Sequence, residues 1–312
     1  MNKIFIKASK SMIFGNLEAA KTLKTYISNK IETGKGVQFF LLVGPEGIGK
    51  SAHAQELIKE FLGGYGYSDF LYLQDYSYQM GKNHNIPIEL NSSNSTIEFQ
   101  EGSKRENFGI RETNLRLQQS GFSGKKFVLI ENMQRMLGPA MNAFLKTVEE
   151  PLKDRFILAT VPHQSMLLDT IVSRAIVIHF DPLSISEMQQ FAQQEQIGTT
   201  DKELQDILIA MAMGKPGMLL KMHQQLTLNP EFADTLKSLI QLLPNPHAPL
   251  NKKRQLLKKL SEIGLIDAFI DGRIAYASQH NHFLNAEKRL NTKKLMQANV
   301  NQENVLLYGL LD

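Results

Sequence analysis

Short apolar runs alternate with helical segments along the first 180 residues of the chain. Four runs are rich in Val, Ile, Leu and Phe and are bounded by Gly, Pro or charged residues, at 37–43, 126–130, 156–161 and 175–180. Continuous apolar runs of this length are typical of strands that are buried on both faces of a parallel sheet. The pattern therefore predicts an α/β domain with helices on both faces of the sheet.

Beyond Pro182 the strand-like runs stop and a helical period takes over. Ser184, followed three residues later by Glu187, has the spacing of a capping box and predicts a helix over 185–195. Further helices are predicted at about 201–212, 215–226, 231–243, 250–263, 265–277 and 283–311. The second part of the chain is therefore expected to be all-helical.

Residues 81–107 interrupt the strand–helix alternation of the first part. They are polar and rich in Asn and Ser, and the short run near 96–99 has strand character. A polar segment of this length inside a compact domain is more typical of an insertion than of a linker between domains. We interpret it as a long insertion that contains a strand.

Composition narrows the classes of function. With 42% hydrophobic and 21% charged residues, the 312-residue chain resembles an ordinary folded protein of about two domains. It has no apolar run long enough for a transmembrane helix and no secretory signal pattern at its start, so we expect no membrane partner and a cytoplasmic location. The absence of cysteine excludes disulfides, thiol nucleophiles and cysteine-ligated zinc. A net charge of +4 is compatible with a nucleic-acid partner without requiring one.

One segment carries a specific signal for phosphate binding. The pattern G-x-x-x-x-G-K-[ST] is matched by Gly44, Pro45, Glu46, Gly47, Ile48, Gly49, Lys50 and Ser51. Its glycines let backbone N–H groups point at a phosphate, Lys50 supplies a positive charge, and the Ser51 hydroxyl can bind Mg²⁺. The alternative is a ligand-free glycine-rich turn. Because a strand precedes the segment and a helix follows it, we favour an ATP- and Mg²⁺-binding loop.

A P-loop enzyme also needs acidic residues at the end of a neighbouring strand. Strand 126–130 is followed by Glu131 and Asn132, where the usual order is Asp and then Glu. Glu131 can contribute to the Mg²⁺ shell together with Ser51, whereas the Asn132 amide cannot act as a general base. The sequence thus predicts a site that binds nucleotide and hydrolyses it poorly or not at all. The alternative is that Glu131 only ends a strand.

The motifs occur in the order found in the AAA+ ATPases of DNA clamp loaders. The matching segments are Ile13–Asn16, the P-loop, Glu131–Asn132, MNAFLKTVEEP at 141–151, FILATVP at 156–162 and LLDTIVSRA at 167–175. The chain resembles this family over about residues 10–226, and most closely its delta-prime subunits of bacterial DNA polymerase III. The resemblance implies an αβα nucleotide-binding domain over 1–182, a small helical lid over 183–228 and an all-helical collar over 229–312.

The resemblance also implies roles for single residues. Thr160 lies at the sensor-1 position, where a polar side chain contacts the γ-phosphate, and Arg174 would be an arginine finger that reaches the nucleotide of an adjacent subunit. Read without the resemblance, Arg174 is an arginine that forms a salt bridge at the start of a strand. Met218 stands where the family often has the sensor-2 arginine. The cysteines of the family's zinc module are absent, so no zinc is expected.

By the resemblance, the chain would be a clamp-loader subunit in a pentameric ring, where it helps to load the sliding clamp on primer–template DNA. It would bind nucleotide with weak or no hydrolysis and donate its finger to a neighbour. Two alternatives are an autonomous AAA+ ATPase or remodeller, and a DNA-binding protein with a vestigial P-loop. Basic helical segments at 251–260 and 287–295 would contact DNA phosphates or form solvated helix faces, and the sequence leaves both open.

Overall fold

The computed structural model describes residues 14–63, 69–73, 96–98, 104–106, 109–136, 138–197, 201–229, 231–242, 249–263, 265–266 and 268–272. Contacts divide the chain into two compact units, one that ends at Asp181 and one that begins at Pro182. The predicted separation of a lid from a collar stays a prediction. The predicted helix over 283–311, the basic segment at 287–295 and most of the 81–107 insertion lie outside the described residues.

The first unit is built on a parallel sheet. The strands of this sheet are β1 (Phe39–Val43), β2 (Phe70–Leu73), β5 (Lys126–Ile130), β6 (Arg155–Val161) and β7 (Ile176–His179). Two further strands are β3 (Thr96–Glu98) and β4 (Lys104–Glu106). The five-stranded sheet has the order β2-β5-β6-β1-β7, and all its pairs are parallel. Strands β3 and β4 pair with each other in antiparallel orientation and form a separate two-stranded sheet.

Helices cover both faces of the parallel sheet. They are α1 (Leu17–Thr33), α2 (Lys50–Leu62), α3 (Ile110–Gln118), α4 (Gly138–Glu149) and α5 (Asp169–Val172). Alternate residues of β1 enter two separate apolar cores, since Phe39 and Leu41 pack with α3, α4 and α5 while Phe40 and Leu42 pack with α1 and α2. This division explains why β1 is apolar at every position and confirms the predicted α/β fold.

The strand predictions differ from the structure mainly at the edges. Strand β5 has the predicted bounds, whereas β1 begins at Phe39 because Val37 is exposed and the Gln38 side chain donates to two backbone carbonyls. Strand β2, a four-residue strand at the edge of the sheet, is absent from the strands that the hydrophobic pattern predicts. The predicted strand near 96–99 is confirmed as β3.

The regular elements described in the second unit are helices. They are α6 (Ile185–Gln194), α7 (Lys202–Ala212), α8 (Pro216–Leu228), α9 (Glu231–Leu242) and α10 (Leu250–Glu262). The predicted capping box is confirmed, since the Ser184 hydroxyl accepts from the Glu187 amide and the Glu187 carboxylate accepts from the Ser184 amide. Helix α10 buries Leu257 and Leu260 and exposes most of its basic residues.

Candidate nucleotide-binding site

The loop between β1 and α2 has the backbone that a phosphate-binding loop requires. Gly44, Gly47 and Gly49 have φ values of 154°, 79° and 102°, a range that residues with a side chain rarely adopt. At Gly44 a Cβ atom would lie 2.3 Å from the Phe180 carbonyl oxygen, so this position also has no room for a side chain. Strand β1 has neighbours on both sides, which fixes the start of the loop at the carboxyl edge of the sheet.

Lys50 is the first residue of α2, and its ammonium group folds back onto the loop. Only 6% of the residue is exposed, and Nζ donates to the carbonyl oxygens of Gly44 and Pro45. Burial lowers the Lys50 pKa to about 8, although the charges of Glu46 and Glu131 act in the opposite direction. A polyphosphate is a stronger partner for this ammonium group than two carbonyls are.

The turn after β5 lies at the same edge of the sheet. Glu131 follows the last residue of β5 and donates its amide to the Leu73 carbonyl of β2. Asn132 adopts a left-handed conformation with φ of 53°, which Asn tolerates better than most residues, and its amide donates to the Thr160 hydroxyl at 3.0 Å. Thr160 pairs with Leu42 in the sheet register, one residue before the end of β1. The structure therefore places Thr160, Glu131 and the P-loop at one edge.

An ion pair joins the P-loop to the turn after β5. Arg135 Nη2 lies 3.9 Å from Glu46 Oε1, and Arg135 belongs to a single 3-10 turn over Met133–Arg135. No sequence motif marks an arginine at this spacing, so Arg135 is not among the predicted site residues. The contact adds a second positive side chain beside the loop that carries Lys50.

The chain segment before α1 forms one flank of the site. The Asn16 side chain binds the backbone of Asp181 in both directions, with Nδ2 donating at 3.0 Å and Oδ1 accepting at 2.8 Å. Beneath it, the buried His53 ring of α2 packs against Phe180 with ring centroids 5.4 Å apart. Burial lowers the pKa of His53. Hydrogen bonds to the Phe14 and Gly15 carbonyls raise this pKa, but the effect of burial is larger. His53 thus packs as a neutral side chain under the P-loop.

The donors at this edge fit a nucleotide triphosphate with a divalent cation. Lys50 and the amides at the start of α2 would hold the phosphates, while the Ser51 hydroxyl and the Glu131 carboxylate would hold the cation. Among the residues that the structure describes, no three His, Asp or Glu side chains form a metal site by themselves. A cation bound with a nucleotide would take phosphate oxygens as ligands in addition to Ser51 and Glu131.

Arg174 lies at the opposite edge of the sheet. It precedes β7 by two residues, and the first paired residue of β7, Ile176, lies beside Phe40 near the start of β1. The P-loop begins after Val43, so four residues of strand, about 13 Å, separate the two levels. The structure does not bring Arg174 together with the P-loop of its own chain.

Arg174 is anchored where it lies. Its Nη2 atom is 2.7 Å from Glu149 Oε1 at the end of α4, and its Nη1 atom donates to the Thr170 carbonyl at 2.6 Å. The contact with Glu149 is the salt bridge that was the alternative to the finger role, and it does not test that role. Met218 lies in α8 of the second unit, so its sensor-2 assignment also stays a prediction.

Comparison with known proteins places the chain in a family. The family described as "DNA polymerase III, delta subunit" matches residues 19–184, just over half of the chain. The chain belongs to this family. Among curated proteins it is similar to the DNA polymerase III subunit delta' of Bacillus subtilis (39% identical over 61 residues) and of Haemophilus influenzae (33% over 105 residues). These matches cover 20% and 33% of the chain and only 18% and 31% of the two relatives.

Solved structures with a similar fold share little sequence with this member of the family. A DNA polymerase III gamma subunit-related protein of Thermotoga maritima has a TM-score of 0.49 at 15% identity, and the match covers 94% of this chain and 97% of that one. The RuvB Holliday junction branch migration motor of Thermotoga maritima has a TM-score of 0.47 at 14% identity, with 80% and 77% covered. No helix in the described part of the chain is long and apolar enough to cross a membrane.

Proposed function

We propose that this protein is a delta-prime-like subunit of a clamp loader, which binds a magnesium nucleotide with weak or no hydrolysis and donates Arg174 to a neighbouring subunit. Its partners would be the other subunits of a pentameric ring, the sliding clamp and primer–template DNA, and its location the cytoplasm. The observation that carries the proposal is a complete phosphate-binding loop in a chain of the DNA polymerase III delta family.

The site supports nucleotide binding more than hydrolysis. Lys50, Ser51 and Glu131 supply the charge and the oxygen ligands that a magnesium nucleotide needs. Hydrolysis also needs a group that takes a proton from the attacking water, and the Asn132 amide cannot do so. Asn132 instead donates its backbone amide to Thr160, which holds the turn beside the phosphate loop. We therefore expect a bound nucleotide to persist.

The position of Arg174 supports a role in trans. An arginine finger stabilises the charge that develops on the γ-phosphate, so it must reach the reacting phosphoryl group. Arg174 lies about 13 Å along the sheet from its own P-loop, and its side chain is one-third exposed. A side chain so placed is available to a nucleotide that a second subunit holds.

Reconstitution tests the proposal directly. The chain is co-purified with the other clamp-loader subunits of its own organism, and DNA-stimulated ATP hydrolysis is measured for the complex and for the chain alone. We expect stable assembly, negligible turnover by the lone chain and a fall of about a hundred-fold or more in complex turnover with Arg174→Ala. Robust hydrolysis by the lone chain would instead favour an autonomous ATPase. Salt-sensitive duplex binding that survives Lys50→Ala, without assembly, would favour a DNA-binding protein.

A further inference from the structure

The amino edge of the sheet holds an acidic side chain in an unfavourable place. Glu149 is the last residue of the twelve-residue helix α4, where the helix dipole is negative and a carboxylate is destabilising. Its carboxylate forms a charge-assisted contact of 2.7 Å with Arg174 Nη2. The two side chains remain 43% and 35% exposed, so solvent and a partner both have access to the pair.

A second anchor fixes the plane of the guanidinium group. Arg174 Nη1 donates at 2.6 Å to the Thr170 carbonyl, which belongs to α5. The group is thus held between α4 and α5, two elements that pack into the same apolar core. A guanidinium has five N–H donors, and these two contacts use two of them. Others remain to bind a phosphate without release of either anchor.

We propose that Glu149 is a positioning residue for Arg174, which fixes the guanidinium before the subunit docks against its neighbour. The inference rests on the proposed role of Arg174 as a finger. A free arginine side chain has many rotamers, and restricting it to one of them when the subunits dock costs conformational entropy. An arginine that is already held loses less, and correct placement of a charge relative to the reacting phosphate affects turnover rather than nucleotide binding.

The chain offers a matched control for this role. Glu150 is adjacent to Glu149, is exposed and makes no ion pair in the described part of the chain. The substitutions Glu149→Gln and Glu150→Gln therefore remove the same charge at neighbouring positions. Only the first removes the partner of Arg174, so a difference between the two variants reports on that contact rather than on net charge.

The isolated chain tests the contact itself. Phenylglyoxal modifies accessible guanidinium groups, and peptide mapping by mass spectrometry follows the modification of Arg174 over time. We expect the modification rate to rise several-fold in Glu149→Gln and to stay within about two-fold of the parent in Glu150→Gln. Equal rates in the parent and Glu149→Gln would show that the carboxylate does not hold the arginine, which would overturn the proposal.

The reconstituted complex tests the consequence. Glu149→Gln is expected to lower kcat about ten-fold with little change in KM, while Glu150→Gln leaves both within about two-fold. Adding Glu149→Gln to Arg174→Ala should cause no further loss, because the two residues act through one group. A further loss in the double variant, or a rise in kcat with Glu149→Gln alone, would overturn the positioning role.

The two proposals fail in different ways. If Arg174→Ala abolishes complex turnover and Glu149→Gln leaves it unchanged, the finger stands and the positioning role of Glu149 is wrong. If Arg174→Ala itself leaves turnover unchanged, the finger assignment is wrong and Glu149 has no finger to position, whatever the modification rates show.

Discussion

The pKa of Lys50 determines how the affinity of the candidate site for a nucleotide should depend on pH. Burial lowers its pKa to about 8 in the free chain, against an ordinary value of 10.5. A bound polyphosphate would favour the charged ammonium group and raise that pKa again. Between these two pKa values the bound state therefore holds more protons on Lys50 than the free state, and binding takes up a proton.

We predict from this linkage that nucleotide affinity falls as the pH rises above about 8. Below that pH Lys50 is already charged and the affinity should be nearly constant, whereas above it each pH unit should weaken binding by up to about ten-fold. Calorimetric titration of the non-hydrolysed nucleotide from about pH 7.5 to about pH 9.5 measures the effect. The Lys50→Met variant should bind nucleotide weakly, and its affinity should not change near the pKa of Lys50. An affinity of the parent protein that does not change with pH over this range would contradict the prediction.

At the scale of elements, a buried carboxylate joins strand β2 to the turn before β5. Asp69 is 1% exposed, and its two oxygens accept from the Phe122 amide at 3.0 Å and the Ser123 amide at 2.7 Å. Burial raises the Asp69 pKa, but the hydrogen bonds from Ser123 and Phe122 and the charge of Lys126 outweigh it, so the net pKa is lowered. The charged form is thus the one that the fold stabilises.

Asp69→Asn should lower the free energy of unfolding by about 1–3 kcal/mol at neutral pH. The Asn side chain has one acceptor oxygen and no charge, so one of the two backbone amides that donate to Asp69 would lose its acceptor. A pKa that is lower in the folded than in the unfolded state adds stability above the ordinary value of 3.8, and this stability is lost as the pH falls through the folded pKa. The difference between the parent and the variant should therefore shrink in acid. Urea unfolding at about pH 7 and at about pH 2.5, below the ordinary pKa of 3.8, measures both effects.

A matched substitution nearby controls for the change of residue type. Asp154 precedes β6 and has a left-handed backbone conformation with φ of 58°, which Asn also adopts. In the described part of the chain, the hydrogen bonds at Asp154 use its backbone carbonyl and not its carboxylate. Asp154→Asn should change the free energy of unfolding by less than about 0.5 kcal/mol. An equal loss in the two variants would show that the Asp69 hydrogen bonds are not the cause.

Local chemistry explains which elements the sequence predicts well. Strand β5 is an apolar run bounded by charged residues, so its bounds follow from composition alone. Strand β2 has only four residues, two of them aromatic and half-buried, and it exists because β5 offers backbone partners at the edge of the sheet. Such pairing depends on residues distant in the chain, which no local period reveals.

The same distinction applies to the site. The P-loop and Ser184 carry local signals, and both have the expected structure. The Glu149–Arg174 pair joins residues from separate segments that become neighbours only because α4 and β7 both meet the amino edge of the sheet. Asn132 is a third case. The sequence marks it because an amide stands where a P-loop enzyme usually has a carboxylate, and the structure adds that its backbone adopts the left-handed conformation of the turn.

At the scale of the whole molecule, the first unit carries its candidate phosphate-binding residues and Arg174 at opposite edges of the sheet. Lys50, Glu131 and Thr160 lie at the carboxyl edge, and Arg174 lies at the amino edge. On the proposed function, neither edge forms a complete hydrolytic site, because the first has no general base and the second has no nucleotide.

Restoring the acidic pair should therefore not create an ATPase in the isolated chain. In the double substitution Glu131→Asp, Asn132→Glu, the second carboxylate can accept a proton from water, but the finger that stabilises the γ-phosphate charge would still have to come from a neighbour. We expect turnover by the lone variant to stay within about three-fold of the background, measured as phosphate release. Because Glu at a left-handed position costs about 1 kcal/mol, a single cooperative thermal transition that is lowered by no more than about 5 °C is the control that the variant is folded. Turnover well above background would mean that this chain needs no finger from a neighbour, and the division of labour between the two edges of the sheet would be wrong.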